Sequence, residues 1–232
     1  MEIASVIAQA KADRRPALDE LAGKNLLASF GVSVPRSVIA KDANSAAAAI
    51  AGLKPPFALK IMSPDILHKS DAGGVKIGLK SGAEVAQAIE TMAALPAIKS
   101  ARVEGFLVEE MAPAGQEIVV GAVRDPDFGP MVMVGLGGIF VEVLADVAFR
   151  ICPITKLDAE EMLDELKGAA ILKGARGRKA VSREAIVDVL LKVGGENGLL
   201  LKHADDFKEA DINPLIVSET AAVAVDARFV LA

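Results

Sequence analysis

The chain has 232 residues, 52% of them hydrophobic and 25% charged, with a formal net charge of -5. Those values exclude a disordered chain, which combines low hydrophobicity with high net charge, and give no footing to a nucleic-acid binder, which carries a basic balance. With no Trp, no Tyr and eight Phe, the chain also lacks the aromatic platforms on which bases stack.

In chain order, helix and strand signals alternate through the first third. Residues 16–30 place apolar side chains at helical spacing, and Gly31 follows as a stop. Residues 32–39 read as a strand around Pro35, and Asp42-Ala43-Asn44-Ser45 caps an Ala-rich helix over 45–52. Residues 57–62 form a short apolar run after Pro55-Pro56, residues 74–79 alternate, and residues 82–95 return to helical spacing.

From Gly105 the character changes. Three strand-like runs, 105–111, 116–124 and 131–136, are separated by the turn residues Pro113-Ala114-Gly115 and Asp125-Pro126-Asp127-Phe128-Gly129-Pro130. Such short connections predict antiparallel hairpins. Helical segments follow at 159–166 and 183–194, with a loop at 174–178, and strands at 209–217 and 222–225 close the chain. The shift predicts two α+β lobes, residues 1–105 and 106–232, with a ligand cleft between them.

The longest apolar stretch, 131–143, is broken by Gly135, Gly137, Gly138 and Glu142, short of the roughly 18 residues of a membrane helix. At the N-terminus the basic residues follow the apolar segment, the wrong order for a signal peptide. The single cysteine, Cys152, forms no internal disulfide, and one Cys with two His excludes a His/Cys zinc site. A reducing cytoplasm is the expected compartment.

Several residues stand out chemically. Lys60 lies inside the apolar run FALKIM. Buried, its charge costs several kcal/mol unless paired; it either snorkels to water at a strand end or aims a point charge at a phosphate. A polar loop follows, Ser63-Pro64-Asp65-Ile66-Leu67-His68-Lys69-Ser70-Asp71-Ala72-Gly73-Gly74. Gly73 and Gly74 either let backbone amides approach an anion or simply make a turn. An imidazole titrates near 6.5 and is nucleophilic at neutral pH, so His68 in this loop is a candidate phosphoryl acceptor. Glu109 ends a strand and Glu117 follows across a turn; as a pair facing a cleft they would bind a ribose and the amino edge of a base. Alternation puts Asp211 and Asn213 on one strand face, with Asp226 on the next strand. These oxygen donors suit Mg²⁺, although a strand-ending Asn-Pro turn explains Asp211-Ile212-Asn213-Pro214 as well. Gly135-Leu136-Gly137-Gly138 is a tight turn or a phosphate approach. Arg150, just beyond Asp146, pairs locally or contacts phosphate, and Arg176 and Arg178 are exposed loop charges.

In this order the motifs resemble a known family. The blocks ALKIMSPDILHKSDAGGVKIGL, VEEMAPAGQEIVVGAVRDPDFGPMVMVGLGGIFVEVLADVAFRICPI and EADINPLIV are similar to the ATP-grasp β subunit or domain of ADP-forming acyl-CoA synthetases (acetate–CoA ligases), and more distantly to the β subunit of succinyl-CoA synthetase. The resemblance runs over nearly the whole chain. It implies an ATP-grasp fold and the reaction acyl-CoA + ADP + phosphate ⇌ acid + CoA + ATP. It implies that His68 carries phosphoryl to the nucleotide and that Lys60 binds phosphate. Glu109 and Glu117 would contact the nucleotide, Met111 would line the base, and Asn213 and Asp226, together with Asp211, would bind Mg²⁺. A CoA-binding α subunit or domain is the implied partner in a hetero-oligomer, and without it the chain would bind nucleotide but make no acyl-CoA. Two other readings fit an ATP-grasp chain. A carboxylate–amine ligase has no use for a phosphohistidine, and the nucleotide-sensing module of an acyltransferase often lacks the histidine.

Overall fold

The structure, a computed structural model, describes residues 3–66, 68–138, 144–174 and 179–232. The chain divides into two compact units, one made of Met1–Val34 with Pro113–Ala232 and the other of Pro35–Ala112. This is not the predicted division at 105/106. The N-terminal residues pack with the C-terminal part, and the strand that begins at Gly105 belongs to the middle unit. The predicted loop 174–178, with Arg176 and Arg178, lies largely outside the described residues.

The chain opens with helices α1 (Ile3–Ala12) and α2 (Glu20–Ser29). Asp19 caps α2 by accepting from the Ala22 amide at 2.9 Å, so the helix starts later than its apolar spacing suggested. Leu26 and Leu27 are fully buried, and truncating either to Ala costs about 2–5 kcal/mol.

The middle unit runs β1 (Ser37–Ala40), α3 (Ala43–Ala49) with a 3₁₀ turn at Ile50–Gly52, β2 (Phe57–Met62), β3 (Val75–Leu79), α4 (Gly82–Ala93), α5 (Pro96–Lys99) and β4 (Gly105–Glu110). Its four strands form an antiparallel sheet in the order β1-β4-β2-β3. Asp42 and Ser45 make a reciprocal capping box on α3, and Ser81 caps α4. α4 turns Val85, Ile89 and Met92 onto a core shared with Phe57, Leu59, Ile61, Phe106 and Val108.

The other unit continues with β5 (Gln116–Asp125), β6 (Gly129–Leu136), β7 (Val147–Ile151), α6 (Lys156–Glu165), α7 (Ala169–Leu172), α8 (Arg183–Gly194), α9 (Leu199–Lys202), β8 (Phe207–Val217), β9 (Ala222–Ala224) and β10 (Arg228–Leu231). Its sheet runs β10-β8-β5-β6-β7, with β9 also on β8. The β5–β6 hairpin is as predicted. A β4–β5 hairpin is not formed: β1 and β2 occupy both edges of β4, and β6 and β8 occupy both edges of β5. Residues 16–18 cover the outer edge of β10 through Leu18 N–H to Phe229 C=O and Leu231 N–H to Pro16 C=O. Among the described residues no helix is long and apolar enough to cross a membrane.

Candidate functional site

The middle unit carries the first group of candidate residues. On β2 and β4 the odd and even positions face opposite ways. Phe57, Leu59 and Ile61 join the core, which leaves Lys60 on the other face with Ala58, Leu107 and Glu109, opposed in register as Ala58–Glu109 and Lys60–Leu107. Lys60 Nζ and Glu109 Oε2 lie 3.0 Å apart, with side chains only 6% and 1% exposed. The lysine therefore does not snorkel to water. It is a mid-strand charge held in the interior by a carboxylate, one diagonal step across the sheet. Glu109 is thus engaged by Lys60 within the middle unit, whereas Glu117 stands on β5 in the other unit. Met111 sits just past β4, exposed, its amide donating to the Pro56 carbonyl at 3.0 Å.

His68 is exposed at the start of the turn that leads into β3. The turn closes on itself: Ala72 N–H reaches His68 C=O at 3.3 Å, Gly73 N–H reaches Ser70 C=O at 3.1 Å and Gly74 N–H reaches Lys69 C=O at 2.7 Å. Both glycine amides are thus used inside the turn, which corrects their reading as a phosphate cradle. Their role here is geometric. Gly73 has φ +71, and a Cβ on Gly74 would come within 3.0 Å of the Lys69 carbonyl and closer still to Ile61. Upstream, Asp65 accepts from the Arg102 amide at 2.7 Å and pins that end of the loop.

The second group lies in the other unit. Glu117 is exposed near the start of β5, and its carbonyl accepts from Gly137 N–H at 2.8 Å. A Cβ on Gly137 would lie 2.8 Å from Glu117 Cβ, so this turn tolerates no side chain against the glutamate. Arg150 pairs locally. Its guanidinium is engaged by Glu165, with Nη1 to Oε2 at 3.0 Å, and Glu161 lies 3.7 Å away. The hydrogen bond to Glu165 raises the Arg150 pKa and lowers that of Glu165. Asp146 is not its partner; buried, it accepts instead from the Lys167 and Gly168 amides at 2.7 and 2.8 Å. Burial pushes the Cys152 thiol up to about 12, against a weaker opposing backbone hydrogen bond from Val132, which leaves it protonated and unreactive at neutral pH.

Along β8, Ala210 and Ile212 are buried while Asp211 and Asn213 are exposed on the opposite face, as alternation requires. Asp226 follows β9. The Asp211 carboxyl is raised, first by the protein packed around it and then by the like charge of Asp226, with Arg228 opposing. Because the side chain is open to solvent, the charge of Asp226 is the firmer of the two causes. Among the described residues no three His, Cys, Asp or Glu side chains gather as a metal cluster. The set here is two carboxylates and an amide. Hard oxygen donors with neighbouring like charges suit Mg²⁺, which takes few protein ligands and completes its shell with water and phosphate.

Sequence reasoning passed over Lys24 and named Asp146 only as a neighbour of Arg150. Glu20 and Lys24 carry the i, i+4 spacing of a surface pair, yet both are buried.

The ATP-grasp domain family matches residues 9–231. The β subunit of ADP-forming acetate–CoA ligase I from Pyrococcus furiosus is 46% identical over 228 residues, 97% of this chain and 96% of that one. The chain belongs to the ATP-grasp family of ADP-forming acetate–CoA ligase β subunits. The ADP-forming acetate–CoA ligase I of Archaeoglobus fulgidus is 41% identical over 90% of this chain, but the matching stretch is only 30% of that longer chain. The family fold is the one observed: the structure superposes with a TM-score of 0.92 on acetyl-coenzyme A synthetase 1 of Ca. Korarchaeum cryptofilum in complex with coenzyme A and Ca-AMPCP, at 38% identity and covering 100% of both chains. For the same synthetase with coenzyme A and Mg-AMPPCP, its phosphohistidine segment pointing towards the nucleotide-binding site, the TM-score is 0.85.

Proposed function

We propose that this chain is the nucleotide-handling subunit of an ADP-forming acyl-CoA synthetase and that His68 is its phosphoryl carrier. In the ATP-forming direction the N–P bond of phosphorylated His68 breaks as an O–P bond forms to the terminal phosphate oxygen of ADP, and the imidazole is regenerated. The single observation that carries this reading is the placement of His68: an exposed imidazole on a self-bonded turn that is joined to β2 through Ile61 N–H and Gly74 C=O at 2.8 Å, the strand that carries Lys60.

Phosphoryl transfer depends on positioning and charge neutralisation more than on covalent work by the protein. Lys60 supplies a cation preorganised by Glu109, which a phosphate engages without first reordering a flexible side chain. Gly73 and Gly74 shape the turn that presents His68. Glu117, held by Gly137, and Met111 are proposed nucleotide contacts. Arg150 is a phosphate contact only if phosphate displaces Glu165. Asn213 and Asp226, with Asp211 beside them, are the proposed magnesium ligands. Mg²⁺ bound there would neutralise developing phosphate charge. The CoA-dependent half of the reaction is assigned to an α subunit or fused domain, in keeping with the longer relative from Archaeoglobus fulgidus. A lone, unreactive thiol suits the reducing cytoplasm, where we place the protein.

The test is phosphorylation of the chain with γ-labelled ATP and Mg²⁺, alone and with a cognate CoA-binding partner. Acid-labile, base-stable label on wild type and none on His68→Ala is expected. Absence of label with the partner present, in a folded chain that binds ATP, would overturn the carrier role. Full activity of His68→Ala would point to direct phosphorylation of a carboxylate substrate instead.

A further inference from the structure

Lys24 heads the largest side chains that the fold buries completely, at 1% exposure. α2 also buries Ala22, Leu26 and Leu27; at 3.6 residues per turn Lys24 stands on the side of Glu20 and Leu27, nearly opposite Ala22. Its ammonium is 2.8 Å from Glu20 Oε1, and the Glu20 side chain is only 7% exposed. A buried ion pair is a poor source of stability, since apolar residues of similar volume often do as well or better. The reason for a charge here lies in what else it touches.

Lys24 Nζ donates to the carbonyl of Val225 at 3.3 Å. Val225 directly precedes Asp226, and its own N–H donates to the carbonyl of Pro214 at 3.0 Å, next to Asn213. The neighbouring positions are fixed from the same side. Ala224 N–H donates to Ser33 C=O at 2.8 Å. The Ala227 carbonyl packs on Gly23 so closely that a Cβ there would come to 2.9 Å. Asp226 Oδ1 accepts from the Ala227 amide at 2.8 Å. Residues 224–227 are thus clamped between the segment 23–33 and Pro214, with the Lys24 ammonium on the peptide that carries Asp226.

We infer that Lys24 is a positioning residue for the metal site: through the Val225 carbonyl it sets the Asp226 carboxylate in register with Asn213. The inference rests on the proposal that Asn213 and Asp226 bind Mg²⁺. Groups one step removed from a metal ligand typically change metal affinity by about 10–100-fold when lost. α2 then belongs to the functional site although none of its residues touches the ion.

The test uses the full chain saturated with ADP, with Mn²⁺ in place of Mg²⁺ and bound ion counted from the loss of the free-Mn²⁺ paramagnetic resonance signal. The double variant Glu20→Leu/Lys24→Met removes both buried charges. It is expected to melt near the wild-type temperature, to bind ADP without metal as wild type does, and to bind Mn²⁺ about tenfold or more weakly. Gly23→Ala pushes on the same turn without changing a charge and is expected to weaken Mn²⁺ binding too; it decides the matter if the double variant does not fold. Wild-type Mn²⁺ affinity in the folded variant overturns the inference. Asp226→Asn separates the two readings. If it leaves Mn²⁺ binding intact, the metal assignment itself fails. If it weakens binding while the Lys24 variant does not, only the positioning role fails.

Discussion

Lys60 and Glu109 set a sharp test at the scale of single residues. Both are buried, on the sheet face opposite the core of the middle unit. Removing one partner leaves an uncompensated charge in the interior, so Lys60→Met is expected to cost about 3–5 kcal/mol in urea unfolding. The double change Lys60→Met/Glu109→Leu is expected to recover most of that stability and none of the ADP binding. A Lys60→Met chain as stable as wild type would show that the two charges are not coupled. Lys60 was legible in the sequence because a lysine breaks the run FALKIM, and His68 because its loop is polar between two apolar runs. Lys24 was not. Its spacing from Glu20 is that of any surface helix pair, and what it meets is the connection between β9 and β10, 201 positions later in the chain. Glu109 was found but its contact with Lys60 was not, since the register that sets the two diagonally exists only once β2 and β4 are paired.

At the scale of elements, helix starts are governed by caps that the sequence shows in part. Asp42 is lowered chiefly by its hydrogen bonds with Ser45, Asp158 by those with Thr155, and Glu165 by that with Arg150. Each titrates lower folded than unfolded. Its contribution is therefore complete above the unfolded value near 4 and is lost as pH falls through the lowered folded value. The thermal midpoint of Asp158→Ala is expected to lie below wild type at neutral pH, with the gap closing below about pH 4. A gap that persists unchanged into strong acid would show that the ionised cap of α6 contributes nothing. Apolar period and cap chemistry predicted α3, α4, α8 and β2 closely, and α2 apart from its start. They did not yield α1, β7 or β10. β7 and β10 are short, and their identity as strands comes from the partners β6 and β8 rather than from their own residues. The false β4–β5 hairpin has the same origin: a short turn-rich connection signals a change of direction, not which strands will share an edge.

At the scale of the whole molecule, the division of the chain is itself testable. Residues 35–112 hold the complete sheet β1-β4-β2-β3 and a core of their own. They are expected to fold as an isolated fragment, marginally, since a domain of about 60 residues buries only about 60% of the surface its unfolded chain exposes. Residues 1–34 joined to 113–232 by a short flexible linker are expected to fold as well. The fragment 106–232, which a break at residue 105 would predict to be a lobe, is expected to fail. It lacks residues 16–18, which cover β10, and the helix that brings Leu26 and Leu27 into the core. It also carries most of β4 without its partners β1 and β2. Removing two fully buried leucines alone costs about 4–10 kcal/mol, comparable with the whole stability of an ordinary domain. Dispersed amide resonances and a cooperative urea transition for 35–112, with neither for 106–232, is the expected result. The reverse pattern would return the boundary to residue 105. It would also detach α2, and Lys24 with it, from the strand that bears Asp211 and Asn213 and from the β9–β10 connection that bears Asp226.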